Sequence, residues 1–581
     1  MTNAHIASVF EQLADLLEFK GDNPFRVRAY RNAARAIRGL GESVATIVAV
    51  DPRRLLEIDG IGQAVADKSV TLVQTGRLPQ LDELLVEIPE SVLAMLRIPG
   101  VGPKKAAALF HELGLRTLDE LQAACAAGRV RELKGFGVKT EQAILDGIHL
   151  AVSANRRLLW ADADQLVQEL RAHLRACDSV RQLEFAGSYR RGRETVGDVD
   201  VLVVATDVAQ VMDRCGAFPS VAEVQARGDT KMSVRLDSGF QVDLRSVPPE
   251  SFGAALQYFT GSKEHNVVLR GLAKQRGLKI NEYGVYRVAG ERETYLAGAT
   301  EDEVYGALEL PVFPPELREA RHEFAWAEAG ALPELIEVGD IRGDLHAHTT
   351  ATDGAALIAE MVAAAQTHGW QYLAITDHSQ RVSMANGLDP RRLLAQWQEI
   401  DRLNAELGSR FTVLKGIECD ILEQGGLDLP DDVLAQADWV LASVHYGQKQ
   451  SRQQITERIL GALEHPHVSA MAHPTGRLLN ARDAYDIDLD AMFAAAKRYG
   501  KLLELNAHPQ RLDLHDLDCA AAKSHGIPIV ISTDAHSVSG LDVLRYGVLQ
   551  ARRAGLTKPD VANTRTWPQL RRLIGRQADC V

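Results

Sequence analysis

The sequence predicts a multidomain chain with an α-helical N-terminal region, an α+β middle and a C-terminal (βα)7 barrel. Three observations carry this. A chain of 581 residues is too long for one core, so three to five domains are expected. A Gly-x-Gly pattern recurs three times among helical patterns before residue 150. Past residue 340, nine potential metal ligands each lie at or just beyond the end of a short apolar run. The C-terminal strand ends of a parallel barrel converge on one mouth, where active sites are built from several strands.

Composition sets outer limits. The 46% hydrophobic and 25% charged content is that of ordinary soluble globular protein. No apolar run reaches the ~20 residues of a membrane span. The opening MTNAHIASVFEQLADLLEF is an amphipathic helix pattern containing acids and not a signal peptide. Six scattered cysteines without a C-x-x-C pair fit a reducing cytoplasm and exclude a cysteine zinc finger. A net charge of −13 argues mildly against a polyanionic partner, but binding depends on where the cations lie. Lys20, Arg26, Arg28, Arg31, Arg35 and Arg38 cluster with only Asp22 opposing them in sequence. Such a run is usually a solvated helix face.

Residues 1–88 and 89–152 form two helical domains. Their repeats are IDGIGQAVADK (58–68), IPGVGPKKAAALF (98–110) and LKGFGVKTEQAIL (133–145). Two glycines let the backbone approach a phosphate, and the next helix points its N–H groups there. One copy reads as a tight turn. Three copies, with Lys104, Lys105 and Lys139 at the helix starts, favour sequence-independent contact with a nucleic-acid backbone. These segments resemble helix-hairpin-helix DNA-binding motifs.

Residues 153–248 change character. RQLEFAGSYRRG is a strand ending in a Gly-Ser turn, VGDVDVLVVA a buried strand, and MSVRLDSGFQVDLRSV a hairpin around Asp237-Ser238-Gly239. Residues 249–317 follow with a helical stretch from Phe252 to Arg276 and a β-like piece, KINEYGVYRV. Residues 318–340 read as a charged, partly helical linker. Residues 341–575 alternate strands with helices, with seven strands near 343–348, 371–377, 412–418, 438–444, 468–473, 501–507 and 528–534.

Asp198 and Asp200 are one residue apart in a strand, so both leave one face. Asp243 is placed on a neighbouring strand at matching depth. Three carboxylates on one face repel unless a cation joins them, and Mg²⁺ finished by substrate phosphates is the natural one. Two ions there would activate an attacking oxygen and stabilise leaving pyrophosphate. Ordinary strand-end acids are the alternative, awkward because Asp200 lies inside an apolar run.

GSYRRG followed by GDVDVL, with YFTGSKEHNVVLR and INEYG downstream, resembles the nucleotidyltransferase palm and thumb of family X DNA polymerases. The resemblance implies that Asp198, Asp200 and Asp243 bind two Mg²⁺ ions. It implies that Ser188, Arg191 and Gly197 hold the triphosphate, and that Tyr258 and Phe259 pack on the sugar. Asn266 and Arg270 would contact the minor-groove side of the incoming nucleotide and template. Gln241 departs from the arginine of many eukaryotic members, and Lys263 from an acid, which would bring a cation to the triphosphate. The first domain resembles that family's small 5′-phosphate-binding domain. Lys68 falls at its Schiff-base lysine, with Tyr30 and Arg26 matching the pocket; an exposed helix lysine is the alternative.

His346, His348, Asp353, His378, Glu418, His445, His473, Asp534 and His536 resemble the ligand set of the PHP (polymerase and histidinol phosphatase) domain over residues 341–540. Imidazole and carboxylate ligands suit Mn²⁺, Zn²⁺ or Fe²⁺ better than Mg²⁺, and three ions are expected if carboxylates bridge. Asn506 and His508 read as supporting or substrate-contacting residues, and Arg477 and Lys449 as phosphate contacts. The whole chain resembles a bacterial family X polymerase with a C-terminal PHP domain. That implies gap filling in DNA repair, 3′-5′ exonuclease or 3′-end processing, and cutting at abasic sites. The implied partners are gapped or primer-template DNA with a 5′-phosphate and deoxynucleoside triphosphates. The protein would be a cytoplasmic monomer without membrane contact. Two other readings stand: a DNA-binding protein fused to a small-molecule phosphatase of histidinol-phosphate type, and a non-catalytic DNA-binding scaffold.

Overall fold

The computed structural model describes residues 3–38, 44–58, 60–88, 95, 98, 101, 103–145 and 157–575. The chain divides into two compact units, Met1–Arg157 with Met212–Leu244, and Leu158–Val211 with Arg245–Val581.

In the first unit, helices Asn3–Phe19, Pro24–Arg38, Gln63–Thr75, Pro79–Glu87 and Pro103–Leu113 share a core running from Ile6 to Ile144. The spacing explains the packing. Ile6, Phe10, Leu13 and Leu17 recur every three or four residues and are all buried. In the next helix Val27, Tyr30, Ala34 and Ile37 face inward, which turns Arg26, Arg28 and Arg31 outward. The cation cluster is less bare than in sequence, because folding brings acids to it. Arg31 pairs with Asp15 at 2.8 Å and with Glu18, and Lys20 with Glu87 at 2.8 Å.

The glycine repeats have the geometry expected of hairpins where they are described. Gly60 and Gly135 occupy the same repeat position and adopt φ of +89° and +87°, a region costly for residues with a Cβ. Ile61 and Phe136, each between two glycines, plug into the core. Pro99, Gly100 and Gly102 of the second repeat lie outside the described residues, as does the Lys104 side chain.

Seventeen strands follow among the described residues: β1 Leu158–Leu159, β2 Val180–Phe185, β3 Thr195–Val196, β4 Asp198–Ala205, β5 Val221–Arg227, β6 Lys231–Leu236, β7 Gln241–Ser246, β8 Leu278–Asn281, β9 Gly284–Ala289, β10 Arg292–Ala297, β11 Gly343–Asp344, β12 Tyr372–Ile375, β13 Thr412–Asp420, β14 Trp439–Ser443, β15 Ala470–Met471, β16 Leu502–Asn506 and β17 Ile529–Ser532. In the second unit β2 pairs antiparallel with β4, in the first β5 pairs antiparallel with β6, and β8 to β10 form a separate antiparallel sheet. Strand β5 has no counterpart among the sequence expectations; its pattern is exposed nearly throughout, so no apolar alternation marks it.

Two segments carry more detail than the sequence shows. The helical stretch Phe252 to Arg276 is two helices, Phe252–Thr260 and Lys263–Gln275. Gly261 takes φ +50° between them, and Ser262 restarts the helix by accepting the His265 N–H at 3.2 Å. The charges of residues 318–340, read as a linker, are largely paired rather than left to water. Arg318 is fully buried and donates to Glu301 and the Phe313 carbonyl. Glu319 pairs with Arg191 and Arg553, Arg321 with Asp516, and Glu323 with His265. Alternating charge looks like a wet segment in sequence. Here each of these charged groups meets a hydrogen-bonding or oppositely charged partner from elsewhere in the chain.

Strands β11 to β17 form one parallel sheet in sequence order. A parallel bridge between Ala347 and Ala535 joins its first and last edges, so the seven-stranded barrel is nearly closed. Asn563 spans the same seam, donating to the Gly343 and Ile531 carbonyls. The strands are apolar on both faces, as parallel strands covered by helices must be: Tyr372–Ile375 and Trp439–Ser443 are buried throughout.

Candidate metal centre and palm acids

All nine ligand candidates reach the barrel mouth. His346 and His348 follow β11, Asp353 lies in the next loop, and His378, His445 and His473 follow β12, β14 and β15. Glu418 is on β13, and Asp534 and His536 follow β17. They form three groups whose ligand atoms lie within 4.8 Å of one another: His348, Asp353, His378 and His536; His346, His348 and Asp534; and His378, Glu418 and His445. His473 joins through Glu418, 2.9 Å from its Nε2. Glu418 and Asp534 are the hubs. His378 and His445 approach Glu418 at 2.8 and 3.4 Å, and His346 and His348 approach Asp534 at 3.4 and 3.2 Å.

Cations fit this arrangement. His346 Nε2, His348 Nδ1, His378 Nδ1 and Glu418 Oε2 are buried without a hydrogen bond, although His378 Nδ1 and Glu418 Oε2 are close. Each such atom costs about 1–3 kcal/mol, and four aimed at one space are satisfied together by metal ions. The electrostatics agree. Burial would lower the His378 pKa, yet Glu418 and Asp353 push it up to about 10. Burial would raise Glu418, yet His445, His378 and His346 hold it well below the usual carboxylate range. The imidazoles do not move together: His346 and His378 are raised by the carboxylates, while burial and the neighbouring His378 bring His348 down to about 4.

Several supporting residues escaped the sequence reading. Glu504 on β16 is fully buried. It holds His346 Nδ1 at 2.7 Å and accepts the His473 N–H at 2.5 Å. Asp420 accepts the His445 backbone N–H and lies 3.1 Å from its Nδ1. Asp377 gathers Thr349, Thr352 and Gln396, fixing the loop that carries Asp353. The available signal was a carboxylate inside a strand's apolar run. Asn506 does support a ligand, donating to Asp534 Oδ2 at 3.0 Å. His508 is half-buried nearby and Lys449 is exposed. Arg477 is not open for phosphate: it binds Glu194 at 2.8 Å and the carbonyls of Arg511 and Leu512.

On β4, Asp198 is exposed and Asp200 half-buried on the same side. Gly187, at φ +70°, brings the Gly-Ser turn so close that a Cβ would stand 3.4 Å from Asp200 Oδ2. Arg245 lies 3.9 Å from Asp200 and over the Phe259 ring. On β7, Asp243 binds Ser233, and Gln241 donates to it at 3.2 Å. The residue that departs from the eukaryotic pattern thus touches the third acid. Ser188 is half-buried and Gly197 exposed.

Arg191 is engaged elsewhere than at an open triphosphate site: its Nε lies 3.1 Å from Glu319 and its Nη1 donates to the Thr260 carbonyl at 2.5 Å. Glu319 and its partner Arg553 are far off in sequence, which is why the motif gave no sign of it. Asn266 donates to the Tyr258 carbonyl at 2.7 Å and accepts from Gln257 at 2.8 Å. That ties the two helices together at their break. Arg270 caps back to the Asn266 carbonyl at 3.2 Å; Lys263 is exposed. In the first unit the Lys68 ammonium lies 5.8 Å from the Tyr30 ring centroid, while Arg26 pairs with Asp22 at 3.1 Å.

Comparison with known proteins covers both ends of the chain. Family models match as a helix-hairpin-helix domain (residues 1–78), a SAM-like helix-hairpin-helix tandem (92–149), a DNA polymerase beta palm (157–234), a DNA polymerase beta thumb (255–319) and a PHP domain (344–508). DNA polymerase lambda of Rattus norvegicus is 27% identical over 347 residues, 55% of this chain and 56% of that protein. A probable phosphatase of Thermoanaerobacter sp. (strain X514) is 29% identical over 233 residues, 38% of this chain and 89% of that protein. The DNA polymerase/3′-5′ exonuclease PolX of Bacillus subtilis (strain 168) is 40% identical over 579 residues, covering 99% of this chain and 100% of that protein. The likeness runs through helical repeats, palm, thumb and barrel alike, and the chain belongs to the bacterial PolX family, polymerases of family X that carry a PHP domain.

Proposed function

We propose that this protein is a gap-filling DNA polymerase whose barrel trims 3′ ends. Asp198, Asp200 and Asp243 would hold two Mg²⁺ ions. Ser188 and Gly197 would meet the triphosphate, while Tyr258, Phe259, Asn266 and Arg270 line the nucleotide's side. The helix-hairpin-helix repeats would grip the DNA backbone through the N–H groups beyond Gly60 and Gly135. In the barrel, the nine ligands would hold Mn²⁺ or Zn²⁺, three ions in all. Bound divalent ions supply Lewis-acid charge to a phosphodiester and a nucleophile near neutral pH. The protein's own part is to fix the imidazoles: Glu504 orients His346 and Asp420 orients His445. The reading places the chain in the cytoplasm. Among the described residues no helix is long and apolar enough to cross a membrane, and the five described cysteines are buried and unpaired.

The observation that carries this reading is the cluster of four buried, unsatisfied ligand atoms on a chain whose likeness to a polymerase and exonuclease runs end to end. The test uses two double variants on gapped DNA with deoxynucleotides and Mn²⁺. Asp198→Ala with Asp200→Ala abolishes nucleotide addition and leaves primer shortening. His346→Ala with His348→Ala does the reverse. Loss of both activities in either variant refutes the two-site reading. The phosphatase likeness supports a second reading; hydrolysis of histidinol phosphate without shortening of DNA would favour it.

A further inference from the structure

The palm turn that follows the GSYRRG motif reaches the rim of the barrel mouth. Glu194, between β2 and β4, lies 2.8 Å from Arg477 Nη2 and 3.7 Å from His515. Arg477 follows His473 in the loop after β15. Its Nε donates to the Arg511 carbonyl at 3.0 Å, and its Nη2 donates to the Leu512 carbonyl. One guanidinium therefore joins a palm carboxylate to two consecutive carbonyls of the loop after β16.

That loop holds an unfavourable shape. Leu512 has φ +40°, a backbone region costly for a branched side chain. Two attachments hold it: Arg477 on one side, and on the other Asp513, which accepts from Thr475 and pairs with Asn506. The result is the position of Arg511, whose Nε lies 3.3 Å from Asp534 Oδ2. Among the described residues it is the one arginine ion-paired with a ligand candidate of the barrel. A guanidinium fork beside the ligands is suited to a phosphate oxygen. Arg477 itself is largely buried, with a 13% exposed side chain. A buried guanidinium that loses its carboxylate is strongly destabilised, and its carbonyl contacts would loosen with it.

We propose that Glu194, a palm residue, is a positioning residue of the barrel's phosphodiesterase site: through Arg477 it fixes the loop after β16 and so sets Arg511 to receive the phosphate of a DNA 3′ end. This rests on the nuclease reading above and adds that the barrel site is completed by the palm. It also accounts for the contacts of Arg477, which are with the palm carboxylate and the loop, and leaves the phosphate to Arg511.

The experiment uses the full chain with Mn²⁺, a 3′-recessed primer and a single-stranded oligonucleotide. Primer shortening is measured for Glu194→Ala, Arg511→Ala and the double variant, with bound metal counted on the same preparations. Each single variant is expected to lose roughly 10²-fold in kcat/KM, the scale of a 1 Å misplacement, while metal content stays at the wild-type value. The double variant is expected to be no worse than Arg511→Ala, because both act through one group. Glu194→Gln, which keeps a hydrogen-bond acceptor for Arg477, is expected to recover part of the loss and serves if Glu194→Ala misfolds. Shortening within twofold of wild type in Glu194→Ala, losses that multiply in the double variant, or a loss that tracks missing metal would each overturn the proposal. Wild-type protein that leaves both DNAs intact would instead refute the nuclease reading itself.

Discussion

Glu504 shows what a single buried carboxylate does for a metal site. It has no exposure, and its two oxygens hold the ring of His346 and the backbone of His473. A carboxylate on the far nitrogen of a ligating imidazole fixes the ring's orientation and leaves the near nitrogen to the metal. Glu504→Ala is expected to weaken metal binding about 10–100-fold, measured by competition with a chelator. Glu504→Gln, which still offers an acceptor, should lose less. Equal affinity in Glu504→Ala would mean that the ring is held by packing alone. The nine ligand candidates are legible in sequence because each ends an apolar run. Glu504 is not, because its strand, LLELN, contains no histidine to draw attention to it. Arg191 presents the opposite case. The motif names its type and place, but Glu319, which pairs with its side chain, and Arg553, which donates to its carbonyl, lie more than a hundred residues away.

Elements follow the same division. The seven barrel strands were readable because buried parallel strands are continuous apolar runs, and their order needed no long-range information. The break between Phe252–Thr260 and Lys263–Gln275 is not visible in the apolar periodicity, which runs through it; a positive φ at Gly261 and the Ser262 cap mark it. The first of these helices enters its fold through a glycine. Gly253 and Ala254 donate to the Ala299 and Gly298 carbonyls at 3.0 and 2.8 Å, so close that a Cβ on Gly253 would lie 2.1 Å from the Thr300 carbonyl carbon. Backbone cannot yield as a side chain does. Gly253→Ala is therefore expected to cost about 1–3 kcal/mol or more, seen as a lower Tm. Because Tyr258 and Phe259 ride on that helix, KM for deoxynucleotides should rise as well. A Tm unchanged from wild type would show that the helix can slide.

At the scale of the second unit, palm, thumb and barrel are joined by buried charges that no local pattern foretold. Arg190 forks onto Glu301 and Arg318 reaches the same carboxylate. Glu319 lies between Arg191 at 3.1 Å and Arg553 at 3.0 Å, and Arg553 also meets Asp516 at 2.9 Å. Packing is close at the same place, since a Cβ on Gly192 would fall 2.6 Å from Leu549. Burial works to raise the Glu319 pKa, but Arg553, Arg191 and Arg193 overcome it and bring it down to about 2. A carboxyl depressed in the folded state stabilises fully above its unfolded value, 4.5, and the contribution fades as pH falls toward about 2. Glu319→Gln leaves Arg191 without its carboxylate, while Arg553 keeps Asp516, at a cost of about 3–5 kcal/mol. Thermal unfolding of the pair should show the largest gap in Tm near neutral pH, narrowing once pH drops below 4.5. A gap that stays constant across that range would assign the loss to packing. A gap that widens in acid would reverse the sign of the ion pair's contribution and leave the seam to its apolar contacts around Gly192 and Leu549.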